Sequence, residues 1–476
     1  MDDAVLDRLK QIVGPAGWLA EPAAIEPYLI ETRGLYRGAT ALVLRPGTVA
    51  EIAEIVRICV EARLPIVPQG GNTGLVGGGV PARDGHSIVL ALGRLNRIRA
   101  IDPENFTITA EAGCILADIQ AAADAEDRLF PLSLGAEGSC QIGGNISTNA
   151  GGIQVLRYGN MRELVLGLEV VLPDGRIWNG LRSLRKDNTG YDLKQLFIGG
   201  EGTLGIVTAA SLRLFPKPAE RAAAFVALAD LDSVLGLFAR ARAASGDQVT
   251  AFELIPRIGV DFAIRHVHGI IDPLEARHDY YALIELSASN RTAGLASLLE
   301  ELLGAALEAG EIVDGTIAAS EAQRLGFWRL REGIVEGQKF EGISIKHDIA
   351  VPVAAVPRFL AEALATVKAR LPGIRPVAFG HVGDGNIHFN LSQPEGADPE
   401  LFLARWHEFN DIVHGITARL GGSISAEHGV GLLKRDELPH YKSALELELM
   451  ARIKAAFDPE NLMNPGKILH REGTAP

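Results

Sequence analysis

"YDLKQLFIGGEGTLGIVTAASLRLF", residues 191–215, contains a literal G-x-G-x-x-G in Gly200, Gly202 and Gly205. Such glycines hold a dinucleotide only when a strand runs into them and a helix leaves, because the pyrophosphate then sits on the helix N-terminus. Here the order is reversed: residues 191–197 read as helix and residues 205–215 as strand. A glycine turn feeding a strand is predicted, and the reversed order argues against a nicotinamide-type unit. The chain has no G-x-x-x-x-G-K-[ST], so a P-loop is excluded as well.

The 53 glycines cluster in two further places, "PQGGNTGLVGGGVP" (68–81) and "LGAEGSCQIGGNISTNAGG" (134–152). Glycine lets backbone N–H groups close on a phosphate and adopt the positive φ of an anion-binding nest. Any one segment could be a tight turn of a β-rich domain; the set suggests a long ligand threaded between loops. Asn145, Ser147, Thr148 and Asn149 offer the donors and acceptors expected around an isoalloxazine or ribityl chain.

At 476 residues the chain exceeds what one core supports, so more than one domain is expected. Working outward, Pro216 and Pro218 mark a boundary, giving domains at 1–218 and 219–422 and a closing segment at 423–476. In the first, Thr48 is placed to cap a helix with Glu51 completing a capping box, and Asp174-Gly175 forms a hairpin. The second alternates β-rich runs such as "VTAFELI", "YYALIEL" and "GISIKHDIAV" with helices at 354–370 and 399–419. An antiparallel sheet covered by helices follows, an α+β architecture.

The net charge of −13 argues against a nucleic-acid partner. Three scattered cysteines, Cys59, Cys114 and Cys140, suit a reducing compartment. An acidic, amphipathic start without a signal-peptide pattern leads to the expectation of a cytoplasmic protein.

"FGHVGDGNIHFN" (379–390) carries the sharpest chemical signal. Asp384-Gly385 predicts a two-residue type I′ loop, which puts His381 directly opposite His388, with Asn390 on the same face. Two such imidazoles are either hydrogen-bonded core residues or a metal pair. "GGSISAEHGVG" (421–431) offers a third ligand in Glu427 or His428, whose side chains point to opposite faces if extended. Two histidines and a carboxylate form a known catalytic zinc set, leaving the neighbouring residue to move a proton. Taken alone, that set also permits a zinc hydrolase.

These motifs, with "DNTGYDLKQLF" and the closing "MNPGKIL", resemble the FAD-dependent D-2-hydroxyacid dehydrogenases of the vanillyl-alcohol-oxidase-type flavoproteins, the group of D-lactate and D-2-hydroxyglutarate dehydrogenases. The resemblance spans nearly the whole chain. It implies a two-part FAD-binding domain, a substrate domain and a C-terminal helical segment returning to the flavin. It also implies oxidation of a D-2-hydroxy acid to the 2-keto acid with hydride passing to FAD.

FAD would be held by Pro68, Gln69, Gly70, Gly71, Asn72, Thr73, Gly74 and Leu75, by Gly135, Ser139, Gly143, Gly144, Ser147, Thr148 and Gly152, and by Gly202, Ile206 and Asn464. The link is expected to be non-covalent, since Gln69 to Asn72 stand where some relatives carry a flavin-attaching histidine. By the same resemblance His381, His388 and Glu427 bind a divalent metal, zinc by preference, His428 is the base, and Arg331 and Lys346 bind the substrate carboxylate with Asn390 nearby. Read without the resemblance, Arg331 is a surface ion pair with Glu332 or a helical neighbour. The chain departs from the pattern at Val335, where D-2-hydroxyglutarate enzymes carry a threonine one turn after the arginine. The resemblance further implies an electron acceptor such as an electron-transfer flavoprotein, a quinone or a cytochrome. A homodimer and a flavin oxidase that uses oxygen are compatible with it.

Overall fold

The computed structural model describes residues 2–470, which form two compact units. The first consists of residues 2–152, Tyr158–Lys217 and 427–470; the second consists of Ile153–Arg157 and Pro218–Ala426. The short excursion at Ile153–Arg157 has no sequence signal. Arg157 is held in the second unit by its guanidinium, which donates to Ser287 Oγ at 2.8 Å. The closing segment starts later than the predicted residue 423, because Ser423 pairs with Ala350 and the Ala426 N–H donates to the Asp348 carbonyl at 3.2 Å.

Besides a two-stranded sheet that pairs Phe215–Pro216 with Arg128–Leu129, the first unit has two larger sheets. Val43–Leu44, Ile88–Ala91 and Ile66–Gln69 pair in parallel, with Trp18–Leu19 antiparallel at the edge. The other sheet is antiparallel in the order Ile98–Asp102, Thr107–Glu111, Ile206–Arg213, Val165–Val171, Ile177–Gly180. The G-x-G-x-x-G turn follows a short helix, Lys194–Phe197, and feeds the central strand Ile206–Arg213 of this sheet, as predicted. Thr48 caps Val49–Glu61, but the reciprocal bond of the expected capping box is displaced by one residue: Glu51 accepts from Gly47 N at 2.7 Å.

The second unit is built on strands β1 (Glu220–Leu228), β2 (Val249–Pro256), β3 (Tyr280–Ala288), β4 (Ile312–Ile317), β5 (Ser344–Ala350), β6 (Arg375–His381) and β7 (Asn386–Ser392). They form one antiparallel sheet in the order β4-β1-β3-β2-β6-β7-β5. Helices cover both faces, which is why its strands read as near-continuous apolar runs. On one face Phe252, Leu254, Ala378, Phe389 and Ile345 pack under Ser233–Ser245, Leu295–Glu308, Val356–Arg370 and Trp406–Arg419. On the other, Ala251, Ile255, Val377 and Phe379 meet helix α1 (Glu321–Gln338) and Arg257–His266. The expected helix 399–419 is broken into Pro399–Leu403 and Trp406–Arg419, and the break brings both Phe402 and Phe409 into the core.

The β6–β7 connection departs from the type I′ prediction. Val382–Asp384 form a turn of 3-10 helix and Gly385 alone is left-handed, at φ 83°. The register therefore shifts by two: His388 lies opposite Phe379, not His381. A shift of two preserves which face each side chain occupies, so the two imidazoles remain neighbours with ring centroids 5.6 Å apart.

Candidate active site

In the first unit Pro68, Gln69, Gly70, Gly71, Asn72, Thr73, Gly74, Gly143, Gly144, Ser147, Thr148, Gly202 and Ile206 line one cavity. Gly71 is required by crowding, since a Cβ there would lie 2.2 Å from the Ser139 carbonyl oxygen. At Gly74 and Gly144 a Cβ would meet nothing within 4 Å, so the backbone there faces open space. Gln69 Oε1, Gln141 Oε1 and Asn145 Oδ1 line the same cavity, buried and without a hydrogen-bond partner among the described residues. Buried amide oxygens normally find a donor. Exposed backbone and orphaned acceptors around one cavity fit the polar rim of a flavin nucleotide.

The remaining expected cofactor residues lie outside the lining. Leu75 accepts from Arg33 through its carbonyl. Gly135 and Ser139 are exposed, and Gly152 is set by packing, its Cβ position 2.1 Å from the Ser133 carbonyl. Asn464 donates to the Gly78 carbonyl at 3.0 Å and the Glu201 carbonyl at 2.8 Å.

His428 also lines this cavity. Its turn is pinned by Glu201, the residue inside the G-x-G-x-x-G, whose carboxylate oxygens accept from Val430 N at 2.7 Å and Gly431 N at 2.8 Å. Burial pushes the Glu201 carboxyl up, against the pull of those N–H groups and of Lys467. Lys467 is drawn down by burial to about 8, opposed by Glu201, and donates to the Val80 carbonyl at 2.7 Å. Glu201 was missed in the sequence because it sits among glycines as a generic turn residue.

In the second unit strand alternation and helix α1 gather the charged residues. Glu253 shares parity with Ala251 and Ile255, and His381 with Val377 and Phe379, so both face α1. Arg331 comes down from α1, buried, and donates through Nε to Glu253 Oε2 at 2.5 Å while its guanidinium stacks 4.6 Å from the Phe379 ring centroid. The surface pairing with Glu332 is thus corrected: the partner of Arg331 is a fully buried glutamate on β2. The other Glu253 oxygen meets His381 Nδ1 at 2.5 Å. Burial acts to raise the Glu253 carboxyl, but Arg331 and His381 together hold it at about 2. Burial lifts Asp384 in the adjoining turn to about 6.

His388 stands opposite Asp348 on β5, with 3.9 Å between Nδ1 and Oδ1. Lys346 stands opposite Asn390, which donates to Gln338 Oε1 at 2.9 Å, and Gln338 in turn donates to Ser392 Oγ at 2.9 Å. Arg331, Lys346, His381, His388 and Asn390 therefore share one sheet face within the second unit. Glu427 and His428 open the closing segment of the first unit, following Ala426 directly in the chain. Two imidazoles on one face, with a carboxylate fixing Nδ1 of the first, are a donor set suited to a divalent ion. Val335 lies one turn after Arg331 and is 38% exposed.

The chain matches the family model described as FAD binding domain over residues 40–180 and the one described as FAD linked oxidases, C-terminal domain, over residues 217–468. It is 39% identical over 470 residues to a mitochondrial D-2-hydroxyglutarate dehydrogenase of Arabidopsis thaliana, covering 98% of this chain and 82% of that protein. It is 38% identical over 484 residues to a putative mitochondrial D-lactate dehydrogenase of Schizosaccharomyces pombe, covering 97% and 89%. Among solved structures, a substrate-bound p-cresol methylhydroxylase superposes with a TM-score of 0.77 at 16% identity over 99% of this chain and 98% of that one. That likeness is one of fold: the α+β architecture is that of the vanillyl-alcohol-oxidase-type flavoproteins.

Proposed function

The chain belongs to the FAD-linked oxidase family of FAD-dependent oxidoreductases, and from that membership we propose that it oxidises a D-2-hydroxy acid of the D-lactate or D-2-hydroxyglutarate class to the 2-keto acid. The observation that carries this reading is the placement of His428 on the wall of the glycine-lined cavity whose buried acceptors suit a flavin. FAD would be held there non-covalently by the glycine-rich loops and, when bound, would supply an acceptor for the hydride leaving C2 of the acid.

Arg331 presents its terminal amino groups to the C1 carboxylate; only its Nε is engaged by Glu253. Lys346 adds a point charge opposite Asn390, and the planar fork beside it fixes the orientation of the acid. Such positioning is worth several kcal/mol of barrier at ~10⁵ M effective concentration. His428 takes the hydroxyl proton. His381, His388 and Glu427 are the residues that would hold a divalent ion, zinc by its donors, and such an ion lends Lewis acidity to a hydroxyl. The electrons leave to an acceptor such as an electron-transfer flavoprotein, a quinone or a cytochrome.

The test is anaerobic. D-lactate or D-2-hydroxyglutarate should bleach the flavin band near ~450 nm while the L-acids do not, and peroxide should not accumulate in air. His428→Ala should keep its flavin and lose about 10²- to 10⁴-fold in the bleaching rate. A flavin that none of these acids reduces, or an undiminished rate in that variant, overturns the reading.

A further inference from the structure

Glu253 lies at the centre of the second unit's chemistry, yet no part of the proposed reaction calls on it. Its side chain is completely buried, where an ionised carboxylate is tolerated only if both oxygens are paired. One oxygen takes the Nε–H of Arg331 and the other meets Nδ1 of His381, each at 2.5 Å. The partners are 78 and 128 residues away in sequence, on a helix and on another strand.

We infer that Glu253 is a positioning residue that sets two functional groups at once: the arginine for the substrate carboxylate and the histidine for the divalent ion. This rests on the roles proposed above for Arg331 and His381.

The geometry of each bond defines what it does. A guanidinium has a fixed planar fork. With Nε given to Glu253, and with Phe379 stacked on its face, Arg331 is left with the edge that carries both terminal amino groups. That edge makes no other hydrogen bond among the described residues, and it is the one that pairs with a carboxylate through two parallel bonds. On the histidine, a carboxylate can only accept, so Nδ1 carries the proton and the ring's lone pair lies on Nε2. Carboxylates that fix a ligating histidine in this way raise its basicity and hold its ring plane. One glutamate therefore keeps two groups from drifting relative to each other, and its own position is fixed by the sheet, with β2 paired to β6 at Glu253↔His381.

The test uses the full-length, flavin-loaded protein and its variants Glu253→Gln and Glu253→Asp. Three quantities are read: flavin content, affinity of the chelator-stripped protein for Zn²⁺, and separate KM and kcat values for D-lactate and D-2-hydroxyglutarate. Glu253→Gln is expected to keep its flavin, to lose about 10- to 100-fold in Zn²⁺ affinity, and to raise KM for the acids on the order of tenfold or more. General loosening would instead speed hydrogen exchange over β2 and β6 while leaving Zn²⁺ affinity and KM unchanged, which counts against the inference. Should Glu253→Gln fail to accumulate, Glu253→Asp carries the test, because it keeps the charge while its shorter arm cannot span both partners; weakened Zn²⁺ or acid binding supports the inference. A flavin-loaded variant with Zn²⁺ affinity and KM both unchanged overturns it. An unsubstituted protein that takes up no Zn²⁺ and whose KM is indifferent to Arg331→Lys overturns the underlying reading, a result separable from the variant data.

Discussion

Each unit buries a glutamate beside its candidate chemistry, and the two carboxyls shift in opposite directions. Glu201 is pushed up, because burial outweighs two backbone N–H groups and a lysine that is itself drawn down. Glu253 is held at about 2, because a guanidinium and an imidazole bond it directly. Peptide dipoles hold a turn in place without matching the lost hydration of a full charge, whereas a bonded cation does match it. The first unit accordingly presents a cradle of backbone and amides, and the second a locked set of charges.

The sharpest way to break this contrast is to remove the cation. Arg331→Ala leaves the Glu253 carboxylate buried with only His381, and should cost about 3–5 kcal/mol of second-unit stability. Faster hydrogen exchange over β2 and β6, with flavin retention unchanged, would register it. A loss under about 1 kcal/mol would mean that the pair holds no more than an ordinary hydrogen bond.

The next effect tests the softer side. Lys467 sits at about 8 in the folded chain against 10.5 when exposed, so between those values the unfolded chain binds more protons. Stability of the first unit should therefore climb as pH rises through that window, by about 1–3 kcal/mol. Urea midpoints measured across it should show the climb, and Lys467→Met should flatten it. A climb that persists in the variant assigns it to another group.

The smallest change sharpens the substrate side. Val335→Thr places a hydroxyl one turn after Arg331 on a part-exposed helix surface. The ratio of kcat/KM for D-2-hydroxyglutarate over D-lactate should rise about two- to tenfold. An unmoved ratio would locate recognition of the second carboxylate elsewhere.

The inner strands of the second unit were legible because they are short, mainly apolar runs bounded by turn residues, and the order of helix, glycine turn and strand was legible because it contradicts the dinucleotide fingerprint. The His381–His388 neighbourhood was legible only as parity: the 3-10 turn at Val382–Asp384 moved the register, and no local pattern distinguishes that turn from a two-residue loop. Glu253 was invisible. In "VTAFELI" it reads as the one charged residue of a strand, and nothing nearby names a histidine and an arginine so far along the chain. Long-range ionic partners follow from topology, which periodicity does not encode.

The closing segment ties the first unit together by threads from the far end of the chain. Met463 pairs with Ile66, Asn464 N donates to the Ile66 carbonyl, and Lys454 donates to the Thr203 and Met463 carbonyls. During translation the ribosome delivers every residue of the second unit before residues 427–470 emerge. The unit that begins first is thus completed last, because its pairing of Ile66 with Met463 and Asn464 waits on residues made after the whole of the second unit.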